Sequence, residues 1–128
     1  MFPIPPALLQ AQQNPPRAAR LAPRGHLPYA EAPAQRLVAL SPGIEVRRNA
    51  LEPLTRLLKA AELDGVPLRV AAGFRSVEIQ RETFEAGARK KGISRRSYAW
   101  WTAPPGFSEH HTGLAVDFVD PGRPRTNF

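Results

Sequence analysis

Apolar side chains recur at helical spacing in the middle of the chain and predict a helix over residues 49–64. Asn49 is the expected N-cap of this helix, with Glu52 three residues later as in a capping box. Gly65 is a natural stop. The core-facing stripe consists of Leu51, Leu54, Leu58 and Ala61.

A second helix is predicted over residues 77–90, with Ser76 as its N-cap. Its shared face carries Val77, Gln80, Phe84 and Ala88. Gln80 is the polar exception on this face. It is either a buried amide satisfied by the backbone or a part of a site, and the sequence leaves both interpretations open.

Short apolar runs bounded by turn-forming residues predict strands over residues 36–40, 68–72 and 113–119. Alternation along the last run would place Leu114, Val116 and Phe118 on a core face. Asp117 would then project from the opposite face beside Gly113 and Ala115, which leaves room for an ion or a substrate.

Proline-rich sequence fills residues 1–24 and predicts a flexible arm, so we place the domain at residues 25–128. No apolar run approaches the ~20 residues of a membrane span. The first residues lack the charged start and long apolar core of a signal peptide. We therefore expect no export address on this chain.

The absence of cysteine restricts any metal ligands to His, Asp, Glu and water. A net charge of +7 and a pI of about 11.0 favour anionic partners such as nucleic acid, acidic lipid or wall polymers.

A basic cluster at residues 89–91 and 95–96 is expected to be a solvated helix end. Trp100 and Trp101 follow it and are expected to form core or the wall of a groove.

Two imidazoles and a carboxylate lie close together near the end of the chain, in the sequence Ser108-Glu109-His110-His111 and, six residues later, Asp117. Neutral imidazole and carboxylate are natural zinc ligands, so His110 and Asp117 are candidate ligands. His26 is a further candidate, although a hydrogen-bonded loop histidine is the simpler interpretation.

The residues Ser108, His110, Gly113, Ala115 and Asp117 resemble the SxHxxGxAxD motif of the zinc D,D-peptidases. This family comprises VanY-type D-alanyl-D-alanine carboxypeptidases and VanX-type dipeptidases. The stretch from Ala72 to Ser76, followed by Gln80, resembles a second family segment, and residues 25–29 resemble the start of many VanY-type domains. The resemblance spans about residues 25–122 and implies the Hedgehog/DD-peptidase-like α+β fold.

The resemblance also implies roles for individual residues. His110 and Asp117 would be two of three zinc ligands, and Arg75 would stabilise a substrate carboxylate or developing negative charge. Ser108 and Gln80 would contact the substrate. The reaction would be zinc-dependent hydrolysis of the C-terminal D-Ala-D-Ala bond of peptidoglycan precursors. The implied partner is a peptidoglycan stem peptide, and the implied location is the cell envelope.

The chain departs from the family after Asp117. Family members continue through a segment resembling ExxWH, which supplies the general base and the third zinc ligand. Here 11 residues follow Asp117, and they contain neither His nor Glu. We therefore expect a chain without the C-terminal third of the domain, including its last strands. His26 or Glu109 could substitute for the lost groups, but no pattern supports that geometry.

Three alternatives follow for function. The chain could be a non-catalytic remnant that binds the cell wall, or an endolysin-like peptidase that cuts another wall peptide bond. A nucleic-acid binder that uses residues 89–101 is the weakest, because no fold signature supports it. The sequence does not indicate an oligomeric state.

Overall fold

The computed structural model describes residues 26–122, so the proline-rich arm predicted for residues 1–24 lies outside the described residues. Within them, no helix is both long and apolar enough to cross a membrane. The elements are β1 (Leu37–Ser41), β2 (Ile44–Arg47), α1 (Arg48–Leu63), β3 (Arg69–Ala72), α2 (Val77–Lys91), α3 (Arg95–Tyr98) and β4 (Asp117–Val119). Single 3-10 turns occupy Ala34–Arg36 and Glu109–Thr112.

Strands β1 and β2 form an antiparallel hairpin in which Val38 lies opposite Val46. Two residues connect them, and Gly43 takes a left-handed φ of 78° that this tight turn requires. The first strand was predicted to within one residue. The second was missed, because Ile44 to Arg47 is short and lies directly against the following helix.

Helix α1 confirms the predicted apolar stripe but not the predicted cap. Arg47 is the N-cap, no side chain bonds the free amides there, and Asn49 is already the second helical residue. Val46 at the end of β2 is fully buried and packs with Leu54 and Val70. Because this packing holds Val46 in place, the helix begins directly after the strand without a capping side chain. The capping-box prediction was therefore wrong.

Helix α2 begins and ends as its sequence predicts. The Ser76 hydroxyl accepts the Ile79 N–H at 3.1 Å, and Gly92 closes the helix with a φ of 64°. Its inner face packs on α3 through a cluster of Phe84, Ala88, Tyr98 and Ala99. Gly87 permits this approach, because a Cβ there would collide with the Tyr98 ring.

The last strand is shorter than predicted. Gly113 has a left-handed φ of 72° and ends the 3-10 turn, so extended pairing starts only at Asp117. Val116 packs on the core, but Leu114 is 59% exposed and Phe118 is 39% exposed. The predicted apolar face over residues 113–119 is therefore wrong except at Val116.

Antiparallel pairing of β4 with β3 positions the carboxylate. Asp117 lies opposite Ala72, after an irregularity in β3 between Val70 and Ala72. The small neighbour of Asp117 is thus Ala72 of the adjacent strand. Gly113, predicted to share a face with Asp117, instead packs against Leu37 and Arg47.

Candidate zinc-binding and peptidase site

Two loops meet at the site, the one that follows β3 and the 3-10 turn Glu109–Thr112. The Arg75 N–H donates to the His110 carbonyl at 3.1 Å, which joins the two loops directly. The Phe74 N–H donates to the Glu45 carbonyl at 2.7 Å, which anchors the first loop on β2. Gly73 is required there, because a Cβ would collide with the Glu45 carbonyl oxygen.

The imidazole of His110 is held by one nitrogen and presents the other. Its Nδ1 lies 2.7 Å from the Gly73 carbonyl oxygen. A carbonyl only accepts, so Nδ1 carries the proton and a neutral His110 exposes the lone pair of Nε2. This is the arrangement in which metal-binding histidines are usually oriented.

The lone pair of His110 faces the carboxylate of Asp117. Nε2 lies 3.4 Å from Oδ1, with the His110 side chain 13% exposed and the Asp117 side chain 54% exposed. With neutral imidazole, two acceptors confront each other and require a proton or a metal cation between them. At ordinary bond lengths, two ligand atoms on one tetrahedral zinc are about 3.3 Å apart. The distance between His110 Nε2 and Asp117 Oδ1 therefore fits two ligand positions of a single zinc ion.

The described residues offer two candidate zinc ligands, His110 and Asp117, whereas a catalytic zinc site normally uses three protein ligands. Within residues 26–122, no group of three His, Cys, Asp or Glu side chains is arranged to hold a metal ion. His26 is directed elsewhere, because its Nε2 bonds the Ala99 carbonyl at 2.9 Å. The simpler interpretation of His26, a hydrogen-bonded loop histidine, is the one that the structure shows.

Arg75 lies beside this pair. Its Nη2 is 3.7 Å from Asp117 Oδ2, and its Nη1 donates to Gln80 Oε1 at 3.0 Å. The Arg75 side chain is 25% exposed, so part of it is open to solvent. A fixed guanidinium on a partly exposed side chain suits the recognition of a carboxylate.

The contacts of Gln80 agree in part with both interpretations that the sequence left open. It is 1% exposed, and its Nε2 donates to the Ala103 carbonyl at 2.7 Å while its Oε1 accepts from Arg75. The amide is thus satisfied partly by the backbone and partly by a candidate site residue. The predicted substrate contact of Gln80 stays a prediction.

Ser108 is 3% exposed, and its hydroxyl accepts the His110 N–H at 3.3 Å. It therefore caps the turn that carries His110. Its predicted contact with substrate also stays a prediction.

His111 is the residue whose part in the site the sequence did not reveal. It is fully buried, its Nδ1 lies 2.6 Å from the Arg75 carbonyl oxygen, and its Nε2 accepts the Gly106 N–H at 3.1 Å. It thus fixes the backbone of Arg75 from inside. Adjacent side chains on a 3-10 turn point about 120° apart, so only one of two neighbouring histidines can face the site.

Comparisons with known proteins relate the chain to a family and to solved structures. The family model of VanY, described as D-alanyl-D-alanine carboxypeptidase, matches residues 43–128. A D-alanyl-D-alanine carboxypeptidase of Enterococcus faecalis strain ATCC 700802 / V583 is 38% identical over 88 residues, or 63% of this chain. The putative carboxypeptidase YodJ of Bacillus subtilis strain 168 is 36% identical over 72 residues, or 56% of this chain. The two matches span 33% and 26% of the length of these relatives, respectively, so this chain corresponds to a part of each.

Solved structures give the same result. VanYB in complex with D-alanine-D-alanine aligns with a TM-score of 0.62 and 34% identity, over 79% of this chain and 60% of that one. A zinc-bound Glu-to-Ala variant of the D,D-pentapeptidase VanY from a VanB-type resistance cassette aligns with a TM-score of 0.59 and 36% identity. That alignment covers 72% of this chain and 57% of the other.

Proposed function

The chain belongs to the VanY family of D-alanyl-D-alanine carboxypeptidases, and on that premise we propose that it serves zinc-dependent hydrolysis of the C-terminal D-Ala-D-Ala bond of peptidoglycan precursors. The solved relatives also confirm the predicted α+β fold of the zinc D,D-peptidases. The cell envelope, which the family resemblance implies, stays the predicted location.

The observation that carries the proposal is the pairing of His110 Nε2 with Asp117 Oδ1 at 3.4 Å. The Gly73 carbonyl fixes the tautomer of His110, and pairing with β3 fixes the position of Asp117. These two side chains would hold the metal. When bound, zinc supplies a Lewis acid that polarises a carbonyl and lowers the pKa of a water.

Arg75 binds and orients the substrate in this proposal. A C-terminal D-alanine ends in a carboxylate, and the guanidinium is its natural partner. Gln80 holds Nη1 at 3.0 Å, which limits the rotation of the guanidinium before substrate arrives. Such preorganisation favours an interaction with charge that develops during the reaction.

Zinc titration of the purified chain tests the ligand pair. We expect one zinc per chain in wild type, and loss of that binding in His110→Ala and in Asp117→Ala. His26→Ala is the matched control, because this histidine bonds the Ala99 carbonyl and should leave zinc binding unchanged. Equal zinc binding by all four proteins would refute the assignment of His110 and Asp117.

Release of D-alanine from a soluble pentapeptide ending in D-Ala-D-Ala tests the reaction. We expect release that depends on zinc and that falls by about a hundredfold or more in Arg75→Ala, within the range seen when one preorganised donor is removed. Arg75→Lys should recover part of this activity, because it keeps the charge but loses the planar pair of donors.

Non-catalytic binding to the cell wall is the second candidate. It is favoured by the presence of only two candidate zinc ligands among residues 26–122, because a catalytic zinc normally has three. The two candidates differ in one measurement. Binding to peptidoglycan without any D-alanine release would support the binding function over the peptidase.

A further inference from the structure

Two neighbouring tryptophans extend into solvent after α3. Trp100 is 72% exposed and Trp101 is 66% exposed, although Tyr98 and Ala99 just before them are buried. The sequence predicted core or groove wall for this pair. Tryptophan is highly buried on average, so two exposed neighbours mark a candidate interaction site.

The backbone that carries these tryptophans is firmly held. The Trp101 N–H donates to the Tyr98 carbonyl at 2.9 Å, and the Trp100 N–H donates to the Ser97 carbonyl at 3.2 Å. The Tyr98 ring packs edge-on against Phe84, with 5.2 Å between ring centroids. The backbone that carries the indoles is therefore ordered before a partner binds.

Positive charge accompanies the indoles. Lys91 Nζ lies 5.6 Å from the centroid of the Trp101 ring. Arg89 and Lys90 at the end of α2, and Arg96 in α3, are also exposed. Arg95 pairs with Glu85 at 2.7 Å, but the cluster as a whole stays cationic. The surface is thus matched to a partner that combines flat apolar faces with negative charge.

This surface adjoins the candidate site. Ala103 follows Trp101 by two residues, a separation of at most about 7 Å between Cα atoms. The Ala103 carbonyl accepts from Gln80, which in turn holds Arg75. A stem peptide of five residues spans up to about 17 Å when extended, so a sugar attached to a peptide in the site can reach the tryptophans.

We propose that Lys91, Trp100 and Trp101 form a binding surface for the glycan strand of peptidoglycan, an inference that rests on the proposed function. The apolar faces of pyranose rings pack on indoles, and an ammonium group attracts the carboxylates of the peptide stems. A nucleic acid would meet the same aromatic and charge requirements. The glycan is favoured because it is covalently joined to the peptide that the neighbouring site recognises.

Sedimentation with purified, insoluble peptidoglycan measures the binding. We expect the double variant Trp100→Ala/Trp101→Ala to bind roughly tenfold or more weakly than wild type, as for lost aromatic stacking elsewhere. Leu63→Ala is the matched control, because this apolar side chain on α1 is 78% exposed and should leave binding unchanged. Unchanged binding by the double variant would overturn the proposal.

Intrinsic fluorescence gives a second measurement that needs no substitution, because the chain contains two tryptophans and both belong to this surface. We expect disaccharide-containing peptidoglycan fragments to change the emission, and the free stem peptide to leave it unchanged. Equal responses to both would overturn the glycan assignment, as would tighter binding of single-stranded DNA than of the fragments.

The outcomes also separate this proposal from the peptidase function. Loss of peptidoglycan binding in the double variant, without D-alanine release by wild type, would support the glycan surface and refute the peptidase. Release of D-alanine from the soluble pentapeptide, together with unchanged peptidoglycan binding by the double variant, would refute the glycan surface alone.

Discussion

At the scale of single residues, His110 and His111 leave the same turn in different directions. His110 bonds Gly73 and faces Asp117, whereas His111 is fully enclosed between the Arg75 carbonyl and the Gly106 amide. One histidine offers a lone pair to the site and the other supports the backbone behind it. Both roles follow from which backbone groups each imidazole meets.

Replacement of His111 tests its supporting role. His111→Leu leaves the Arg75 carbonyl and the Gly106 amide buried without partners, so we expect a loss of about 1–3 kcal/mol in the free energy of unfolding per group. His111→Gln can donate and accept as the imidazole does, and should lose clearly less. Urea unfolding measures both, and equal stability of His111→Leu and wild type would contradict the role.

At the scale of elements, the two long helices begin in different ways. Helix α2 starts at a serine whose hydroxyl accepts a free amide, as local sequence predicts. Helix α1 starts without any side-chain cap, directly after the buried Val46 of β2. Tertiary packing thus replaces capping at α1, and the two starts should respond differently to substitution.

We expect Ser76→Ala to lower the free energy of unfolding by about 1 kcal/mol, the usual effect of losing an N-cap. Asn49→Ala is the matched substitution in α1. It should leave stability unchanged or slightly higher, because Asn49 lies inside the helix, where alanine is the better helix former. Thermal or urea unfolding measures the stability of both variants. A larger loss of stability in Asn49→Ala than in Ser76→Ala would contradict the described start of α1.

At the scale of the whole molecule, the site connects parts of the chain that are far apart in sequence. His110 lies in the 3-10 turn Glu109–Thr112, and Asp117 lies in β4. Gly73 and Arg75 lie in the loop after β3. A metal held between the turn and the strand would bind the folded chain and not the unfolded one. Zinc should therefore stabilise the entire fold by linkage.

Thermal unfolding with and without zinc measures this linkage. At free zinc a hundredfold above its dissociation constant, we expect a gain of about 2.7 kcal/mol in the free energy of unfolding, reversed by chelator. Asp117→Asn should abolish the gain, whereas Asp64→Asn at the exposed end of α1 should keep it. An equal gain in both variants would mean that zinc binds elsewhere.

The features predicted well from the sequence are those that depend on neighbouring residues. The stripe of Leu51, Leu54 and Leu58, the Ser76 cap and the Gly65 stop follow from spacing and backbone preference within one or two turns. The ligand roles of His110 and Asp117 stay predictions, made from a motif within ten residues. Motif spacing identifies such residues, but it does not give the distance between their side chains.

The features that the sequence did not predict depend on contacts across the chain. His110 meets Gly73 across 37 positions and His111 meets Arg75 across 36, so nothing local separates their roles. Pairing with β3 decided where β4 begins, and packing against Phe84 decided that Tyr98 is buried while Trp100 extends into solvent. The sequence alone determined the existence of the two long helices, the family resemblance and the candidate ligands, because these depend on local order. Tertiary structure decided the orientation of each imidazole and the exposure of the tryptophans, because both depend on contacts with segments that are distant in sequence.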